Sequence, residues 1–236
     1  MNTTNCYYAF VLAILVSVWT GESQVPKKQL IQKKFDSIQY SKFETNKRIP
    51  SKIRAQVLTA LSYYPELKDA KITFRFRKRT TPLSSRPRLL HIFKKAKNRN
   101  YVITISTKSN ATLAPILFYN LPYNAQIGVL GHELGHISEY QEMKMWQLGG
   151  LIFKMLNSKY IDQFEYHTDL ISINHGLGYQ LYDWSTYVRA ALGIPEWRGA
   201  SDDYSSDDNV ITKQRYMNPL TIQSFMDSND LYKGIR

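Results

Sequence analysis

The sequence predicts an α+β fold, in which a small mixed or antiparallel sheet packs on two amphipathic helices. Residues 71–77 (KITFRFR) and 101–107 (YVITIST) alternate apolar with polar side chains, which is typical of half-buried strands. Apolar residues between 127 and 137 recur at spacings of three, four and three, which indicates the buried face of a helix. A second helical pattern runs from 161 to 171. About 210 residues after the amino-terminal segment are enough for one domain with a substantial core.

The segments around these patterns contain other predicted elements. Pro50 opens a run of helically spaced apolar residues, and Pro65 ends it. Residues 78–100 hold many turn-forming residues and a basic run, so we expect a long loop there with a short strand at 89–93. A further helix is predicted over 179–192, because Gly and Pro follow its last apolar residue.

Residues 143–156 (MKMWQLGGLIFKML) are strongly apolar and have two interpretations. The pattern is typical of a core helix that is broken at Gly149 and Gly150. It is also typical of a segment that lies in a membrane interface, with Trp146 and the flanking lysines as anchors. The run is too short to span a bilayer.

Residues 1–23 are predicted to be a signal peptide. Residues 7–19 form an uncharged apolar run, and small residues follow it before Gln24, where we expect cleavage. This predicts secretion or export to the periplasm, and the alternative is that the run remains as an amino-terminal membrane anchor. Residues 24–48 are polar and lysine-rich and predict a loosely ordered basic leader, which is followed by a single domain over 49–236.

The sequence His132-Glu133-Leu134-Gly135-His136 predicts a zinc site. Two histidines four residues apart on a helix point the same way and can bind one metal ion. Glu133 follows the first histidine and is placed to orient and deprotonate a zinc-bound water. Zinc lowers the pKa of such a water to about 7, which supplies hydroxide for attack on a carbonyl at neutral pH.

A catalytic zinc usually has three protein ligands, and the third must come from outside this motif. Glu139 and Glu142 stand where a longer, metzincin-type motif requires Gly and His. Downstream, Glu165 and Asp169 lie four residues apart and share one face of the second predicted helix. Glu165 is the natural ligand, and Asp169 would then accept a hydrogen bond from a ligating histidine and fix its tautomer. Asp169 as the ligand itself is the alternative.

The motifs HELGH at 132–136 and EYHTD at 165–169 resemble the HExxH and ExxxD pattern of the gluzincin metallopeptidases. The resemblance covers about residues 124–178 of the chain. It is closer to small minimal gluzincins and to Ste24-like peptidases than to thermolysin, because Phe164 stands where thermolysin-type enzymes usually carry Asn.

This resemblance implies a zincin-like fold, in which one helix carries HExxH and a second helix carries the third zinc ligand. It also implies that the strand before the zinc helix, here 101–107, is the sheet edge along which a peptide substrate lies. The implied roles are Zn2+ ligands for His132, His136 and Glu165, general base for Glu133, and hydrogen-bond partner of a ligand for Asp169.

Three further side chains are candidates for stabilising the negative charge that develops on the substrate carbonyl oxygen, for which gluzincins often use Tyr or His. They are Tyr166 within the second motif, and Tyr179 and His175 after it. His175 precedes a glycine near the predicted helix end, so its alternative is a hydrogen bond to the last carbonyl groups of that helix.

Charge is distributed unevenly in this chain of net charge +12. Residues 27–108 carry 22 Lys or Arg against four Asp or Glu, whereas the later half is acidic, including the stretch 201–209 (SDDYSSDDN). A basic surface is typical of proteins that bind anionic membranes, other envelope polyanions or nucleic acid, and the export signal argues against nucleic acid. A solvated basic face is the alternative. Cys6, the only cysteine, lies in the predicted signal peptide, so the exported chain would form no disulfide.

We therefore expect an exported zinc metallopeptidase that hydrolyses a peptide or protein substrate by a zinc-bound water activated by Glu133. One alternative is a zinc-stabilised envelope binding module, whose basic surface binds anionic polymers or membranes. Another is a SprT-like or Spartan-like DNA-associated protease. The glutamate between the histidines favours an enzyme, because a structural zinc site has no use for a general base.

Overall fold

A mixed sheet and a group of helices form the described part of the computed structural model, which comprises residues 24–32, 35–194 and 215–235. This confirms the predicted α+β class. The predicted signal peptide and the acidic stretch 201–209 lie outside the described residues. Among the residues described, none of the helices combines the length and apolar character that crossing a bilayer requires.

The sheet has the spatial order β1-β2-β4-β3. Strand β2 is parallel to both β1 and β4, and β3 is antiparallel to β4. The strands predicted at 71–77 and 101–107 are confirmed within one residue. The strands are β1 (Lys47–Arg48), β2 (Lys71–Arg77), β3 (Leu83–Pro87) and β4 (Asn100–Ser106).

Two predictions about the sheet are wrong. Residues 89–93 form no strand: a single 3-10 turn covers Leu89–His91, and the edge strand is Leu83–Pro87 instead. This strand escaped the sequence pattern because LSSRP has few apolar residues and ends in Pro. The predicted edge strand, β4, lies inside the sheet between β2 and β3, which agrees with its nearly continuous burial.

The helices match the predicted periodicities. Helix α3 buries the apolar positions between 127 and 137, α5 contains the second motif, and α6 ends at Gly193, whose φ of 63° is left-handed. The helix opened by Pro50 begins as a 3-10 turn at Ser51–Ile53 and continues as α2. The helices are α1 (Ser37–Ser41), α2 (Arg54–Leu61), α3 (Tyr123–Glu142), α4 (Met145–Lys154), α5 (Ser158–Ser172), α6 (Gly178–Leu192) and α7 (Pro219–Ser228).

Close approach of α3 to α6 explains a glycine that would otherwise weaken α3. A Cβ atom at Gly128 would overlap the backbone carbonyl of Gln180 on α6. Gly176, with a φ of 90°, forms the turn that lets the chain pass from α5 into α6. These contacts fix the helix that carries HExxH against the helices that follow it.

The segment predicted to be a leader packs against the domain. The side chain of Asn124, in the first turn of α3, accepts a hydrogen bond from the Leu30 N–H and donates one to the Lys28 carbonyl, both at 3.1 Å. Tyr40 and Phe43 are buried in the main core. The described residues before 49 are thus held by hydrogen bonds and apolar burial, so residue 48 does not separate a loose segment from the domain.

Helix α4 corrects the interpretation of 143–156 as a broken core helix. The helix continues through Gly149 and Gly150, where an added Cβ would contact no neighbouring atom. Leu148 and Leu151 are buried, but most other side chains of the helix are exposed. The glycine pair at 149 and 150 therefore marks an open surface and not a close contact.

Candidate metal centre

Helices α3 and α5 bring His132, His136 and Glu165 together. Residues 132 and 136 lie one helical turn apart on α3, and Glu165 projects from α5 between their rings. Oε2 of Glu165 is 3.0 Å from Nε2 of His132 and 3.2 Å from Nε2 of His136. The candidate ligand atoms all lie within 4.8 Å of one another, so the cluster could hold a metal ion.

The spacing of these atoms fits a small cation with tetrahedral ligands. Two ligand atoms that are each about 2.1 Å from a tetrahedral zinc lie about 3.4 Å apart. The two distances from the Glu165 oxygen to the imidazole nitrogens are close to this value. Two imidazoles and a carboxylate are also a donor set that zinc uses at catalytic sites.

Two residues of α5 orient the histidines from behind. Oδ1 of Asp169 is 2.7 Å from Nδ1 of His132. The hydroxyl of Thr168 donates to the Phe164 carbonyl at 2.9 Å, so its oxygen accepts from Nδ1 of His136 at 3.0 Å. Both rings then carry their proton on Nδ1 and present an Nε2 lone pair to Glu165. Three acceptors that face one another in this way could hold a metal ion between them.

The electrostatics of the centre also favour positive charge between these groups, whether a metal ion or a proton on His132 supplies it. Burial opposes ionisation of Glu165, but the two imidazoles lower its pKa well below the usual range. Burial likewise disfavours a charged His132, yet its hydrogen bonds with Asp169 and Glu165 raise its pKa well above the ordinary value. Asp169 and Glu165 therefore stabilise positive charge at His132.

Glu133 lies beside this cluster and not within it. Its carboxylate is buried and lines a cavity together with His132. Among the described residues, its Oε2 atom has no hydrogen-bond partner. Burial raises the pKa of Glu133 above the ordinary value. A buried carboxylate that has an unpartnered oxygen and lines a cavity is suited to accept a proton.

The cavity has a volume of about 310 Å3 and an apolar wall. Its polar edge contains His132 and Glu133 from α3, and Arg215 and Tyr216 from the segment before α7. Burial raises the pKa of Tyr216 well above the ordinary value, so its hydroxyl keeps its proton. The apolar wall includes Leu83, Leu113, Ile116, Leu121, Val129, Trp184 and Val188.

The structure places the three predicted oxyanion candidates away from this cavity. Tyr166 packs against Phe225, and Tyr179 packs against Tyr232. His175 stacks on Tyr64 and its Nδ1 lies 2.7 Å from the Ile171 carbonyl, as in the helix-end alternative.

Tyr216 lines the cavity instead, with its ring 5.6 Å from that of His132. The sequence offered no signal for Tyr216, because it lies 80 residues after His136 and is one of 17 tyrosines. Thr168 lies within the second predicted helix, and the sequence offered no signal for its contact with His136.

Strand β3 runs along the cavity as the sheet edge. Thr81, Pro82 and Leu83 line the cavity. The Ser106 N–H donates to the Pro82 carbonyl, and the Arg88 N–H donates to the Asn100 carbonyl. In an antiparallel pair every second residue bonds to the neighbouring strand, so residues 82, 84, 86 and 88 are those whose backbone groups face β4. Within the described residues, the backbone N–H and C=O groups of Leu83 and Ser85 therefore point outward without a strand partner.

Comparisons of the chain with protein-family models, with curated proteins and with solved structures gave no match. Function is therefore inferred from the chemistry and the geometry of the cluster and its cavity.

Proposed function

We propose that this protein is a zincin-like zinc metallopeptidase. The observation that carries the proposal is the convergence of His132, His136 and Glu165, with the unpartnered carboxylate oxygen of Glu133 beside them at a cavity. A purely structural metal site needs neither a cavity nor a buried base. The position of Glu133 in the cavity wall therefore favours a catalytic site over a structural one.

In this proposal, His132, His136 and Glu165 would hold Zn2+, which would supply a Lewis acid to polarise a carbonyl group and to acidify water. Asp169 and Thr168 keep the two imidazoles in the tautomer that exposes Nε2. The alternative in which Asp169 is itself a ligand is disfavoured, because both of its oxygens already accept hydrogen bonds, one from His132 and one from the Met217 N–H.

Glu133 acts as the general base. Its carboxylate accepts a proton from the attacking water and then donates that proton to the amine that leaves the cleaved peptide bond. Its burial keeps competing solvent away from the carboxylate. Tyr216 lines the cavity, and in this proposal its hydroxyl donates a hydrogen bond to the carbonyl oxygen as negative charge develops there.

The substrate that fits this site is an extended peptide with an apolar side chain near the cleaved bond. The outward backbone groups of Leu83 and Ser85 can pair with an extended chain, as sheet edges do in peptide recognition. The apolar cavity next to Glu133 then receives one side chain. We expect large aliphatic or aromatic residues to be preferred at this position.

A peptide-library digestion tests the proposal. Wild-type chain loaded with zinc should cleave peptides next to apolar residues, and Glu133→Gln should lose cleavage by at least about 10³-fold while it retains zinc. Glu142→Gln is the matched control, because Glu142 is an exposed glutamate near the end of the same helix. Undiminished cleavage by the Glu133→Gln variant would overturn the mechanism.

We propose that the enzyme acts outside the cytoplasm, since residues 1–23 have the features of a signal peptide. Amino-terminal sequencing of the protein from the cells that produce it tests this location. A mature chain that starts at Gln24 supports export. An intact amino terminus in the cytoplasmic fraction would instead favour a SprT-like or Spartan-like protease.

A binding module for anionic polymers is the second candidate function, and one observation favours it. Burial is the largest cause of the lowered pKa of Arg75 on β2. The positive charges of other arginines in the sheet region lower this pKa further. These arginines are Arg77, Arg79, Arg86 and Arg88. Salt-sensitive binding of a polyanion that Glu133→Gln leaves unchanged would support this function, provided that no peptide is cleaved.

A further inference from the structure

The outward face of α4 is apolar. In soluble proteins the exposed face of a helix is usually polar, and a helix that is apolar all round is normally buried or in contact with lipid. Helix α4 instead packs Leu148 and Leu151 inward and exposes large apolar side chains on the other side. In and just after the helix, Trp146 is 70% exposed, Phe153 75% and Leu156 85%.

A second group of exposed apolar side chains follows the edge strand β3. Leu89, Leu90 and Phe93 are 67%, 79% and 73% exposed. Only Ile92 of this short segment turns into the protein. An exposed run of this kind is typical of a binding surface, because isolated domains rarely leave several large apolar side chains adjacent in water.

Arg99 links the two chain segments that carry these groups. Its buried guanidinium donates from Nη1 to the carbonyls of Tyr140 and Met143, both at 2.7 Å, at the end of α3 from which α4 continues. Its Nε donates to the Lys94 carbonyl at 2.9 Å, in the segment that carries Phe93. We define the apolar patch as Leu89, Leu90, Phe93, Trp146, Phe153 and Leu156.

The patch is surrounded by positive charge. Residues 88–99 contain five Lys or Arg, residues 143–160 contain three, and neither segment contains Asp or Glu. Within the described residues, none of the exposed lysines of these segments forms an ion pair with a carboxylate. They are Lys94, Lys95, Lys97, Lys144, Lys154 and Lys159.

We propose that the apolar patch docks this protein on the surface of an anionic lipid bilayer. Trp and Phe side chains partition into the boundary between headgroups and acyl chains, while lysines next to them contact anionic headgroups. A sugar or phosphate polymer would satisfy the lysines and leave the apolar side chains in water. A second copy of the chain would bring like charges together. The proposal does not depend on peptidase activity.

Quenching by brominated acyl chains tests the docking in the full-length chain. Vesicles that contain phosphatidylglycerol and brominated lipid should quench tryptophan emission more strongly in wild type than in Trp146→Phe. Both proteins keep residues 1–23, so the difference reports Trp146 whether or not the amino terminus also binds lipid. Equal quenching of wild type and Trp146→Phe would overturn the proposal.

Further variants separate the apolar and the ionic contributions. The double variant Phe153→Ser, Leu156→Ser should raise the lipid concentration for half-maximal Trp146 quenching by about tenfold. Ile38→Ser is the matched control, because Ile38 is 84% exposed on α1 and should leave quenching unchanged. Replacing Lys94, Lys95 and Lys97 by Gln should weaken docking by about fivefold per lysine on anionic vesicles. Equal docking on neutral and anionic vesicles, or loss of docking in Ile38→Ser, would contradict the proposal.

Discussion

Asp169 joins His132 of the candidate metal centre to the segment that carries Tyr216 in the cavity wall. Its Oδ1 atom lies 2.7 Å from Nδ1 of His132, and its Oδ2 atom accepts the Met217 N–H at 2.8 Å, next to Tyr216. One buried carboxylate thereby fixes the imidazole tautomer and the segment that carries the cavity tyrosine.

The Asp169→Asn variant should bind zinc about 10–100-fold more weakly than wild type. An amide can still accept from one neighbour, but its NH2 group would face either His132 Nδ1–H or the Met217 N–H, and both are donors. Competition with a coloured chelator measures the affinity. Glu142→Gln serves as the control, and an unchanged zinc affinity in Asp169→Asn would exclude the orienting role.

Thr168 offers a matched pair of variants for His136. Thr168→Val keeps the shape of the side chain and removes the hydroxyl that accepts from Nδ1 at 3.0 Å, whereas Thr168→Ser keeps the hydroxyl. We expect zinc affinity to fall about tenfold in Thr168→Val and little in Thr168→Ser. The same chelator competition applies, and equal affinities of the two variants would contradict this role.

Variants of Tyr216 and Tyr179 test whether the cavity tyrosine or a tyrosine predicted from the sequence stabilises the negative charge on the carbonyl oxygen. Tyr216→Phe should lower kcat by about 10²-fold with little change in KM or zinc content, because the hydroxyl acts mainly in the transition state. Tyr179→Phe should leave kcat unchanged, since Tyr179 packs against Tyr232 away from the cavity. Steady-state cleavage of a library-derived peptide measures both, and the reverse ranking would show that the oxyanion site is misplaced.

Alanine variants at Gly128 and Gly149 compare a closely packed glycine on α3 with an open one on α4. Gly128→Ala should destabilise the chain by about 2 kcal/mol or more, because the new Cβ would overlap the Gln180 carbonyl. Gly149→Ala should stabilise it by up to about 1 kcal/mol, since the site is an open helical position. Urea unfolding of both variants measures these changes, and a tolerated Gly128→Ala would disprove the close approach of α3 to α6.

Glu139 makes stability depend on pH. Burial, followed by the nearby Glu142 and Glu165, raises its pKa to about 8 in the folded chain. The folded state thus binds this proton more tightly than the unfolded state. The contribution of the protonated Glu139 to the free energy of unfolding is fully present below about pH 4.5 and is lost as pH rises through about 8.

The free energy of unfolding of metal-free Glu139→Gln, minus that of metal-free wild type, should therefore be about 2–4 kcal/mol larger at pH 9 than at pH 5. Asp69→Asn is the control, because Asp69 is exposed. Urea unfolding at the two pH values measures the difference. Parallel pH profiles for wild type and Glu139→Gln would show that Glu139 titrates normally.

Features set by local spacing were predictable from the sequence, and features set by tertiary contacts were not. His132 and His136 share a face because they are one helical turn apart, and Glu165 and Asp169 do so for the same reason. The position of Tyr216 depends on how the segment before α7 returns to α3, which no local pattern specifies.

The sheet shows the same limit. The alternation that revealed β2 and β4 is absent from LSSRP, so the edge strand was missed and the interior strand was predicted in its place. Burial of α4 was also overestimated, because an apolar sequence is the same for a core helix and for a helix that faces a lipid surface.

Zinc content per chain tests the three-ligand site most directly. Elemental analysis of wild type should give one zinc per chain, and Glu165→Ala should lose most of it under the same dialysis, because two imidazoles alone hold zinc weakly. A well-folded wild type without zinc, or a Glu165→Ala variant that retains a full equivalent, would contradict the proposed metal centre.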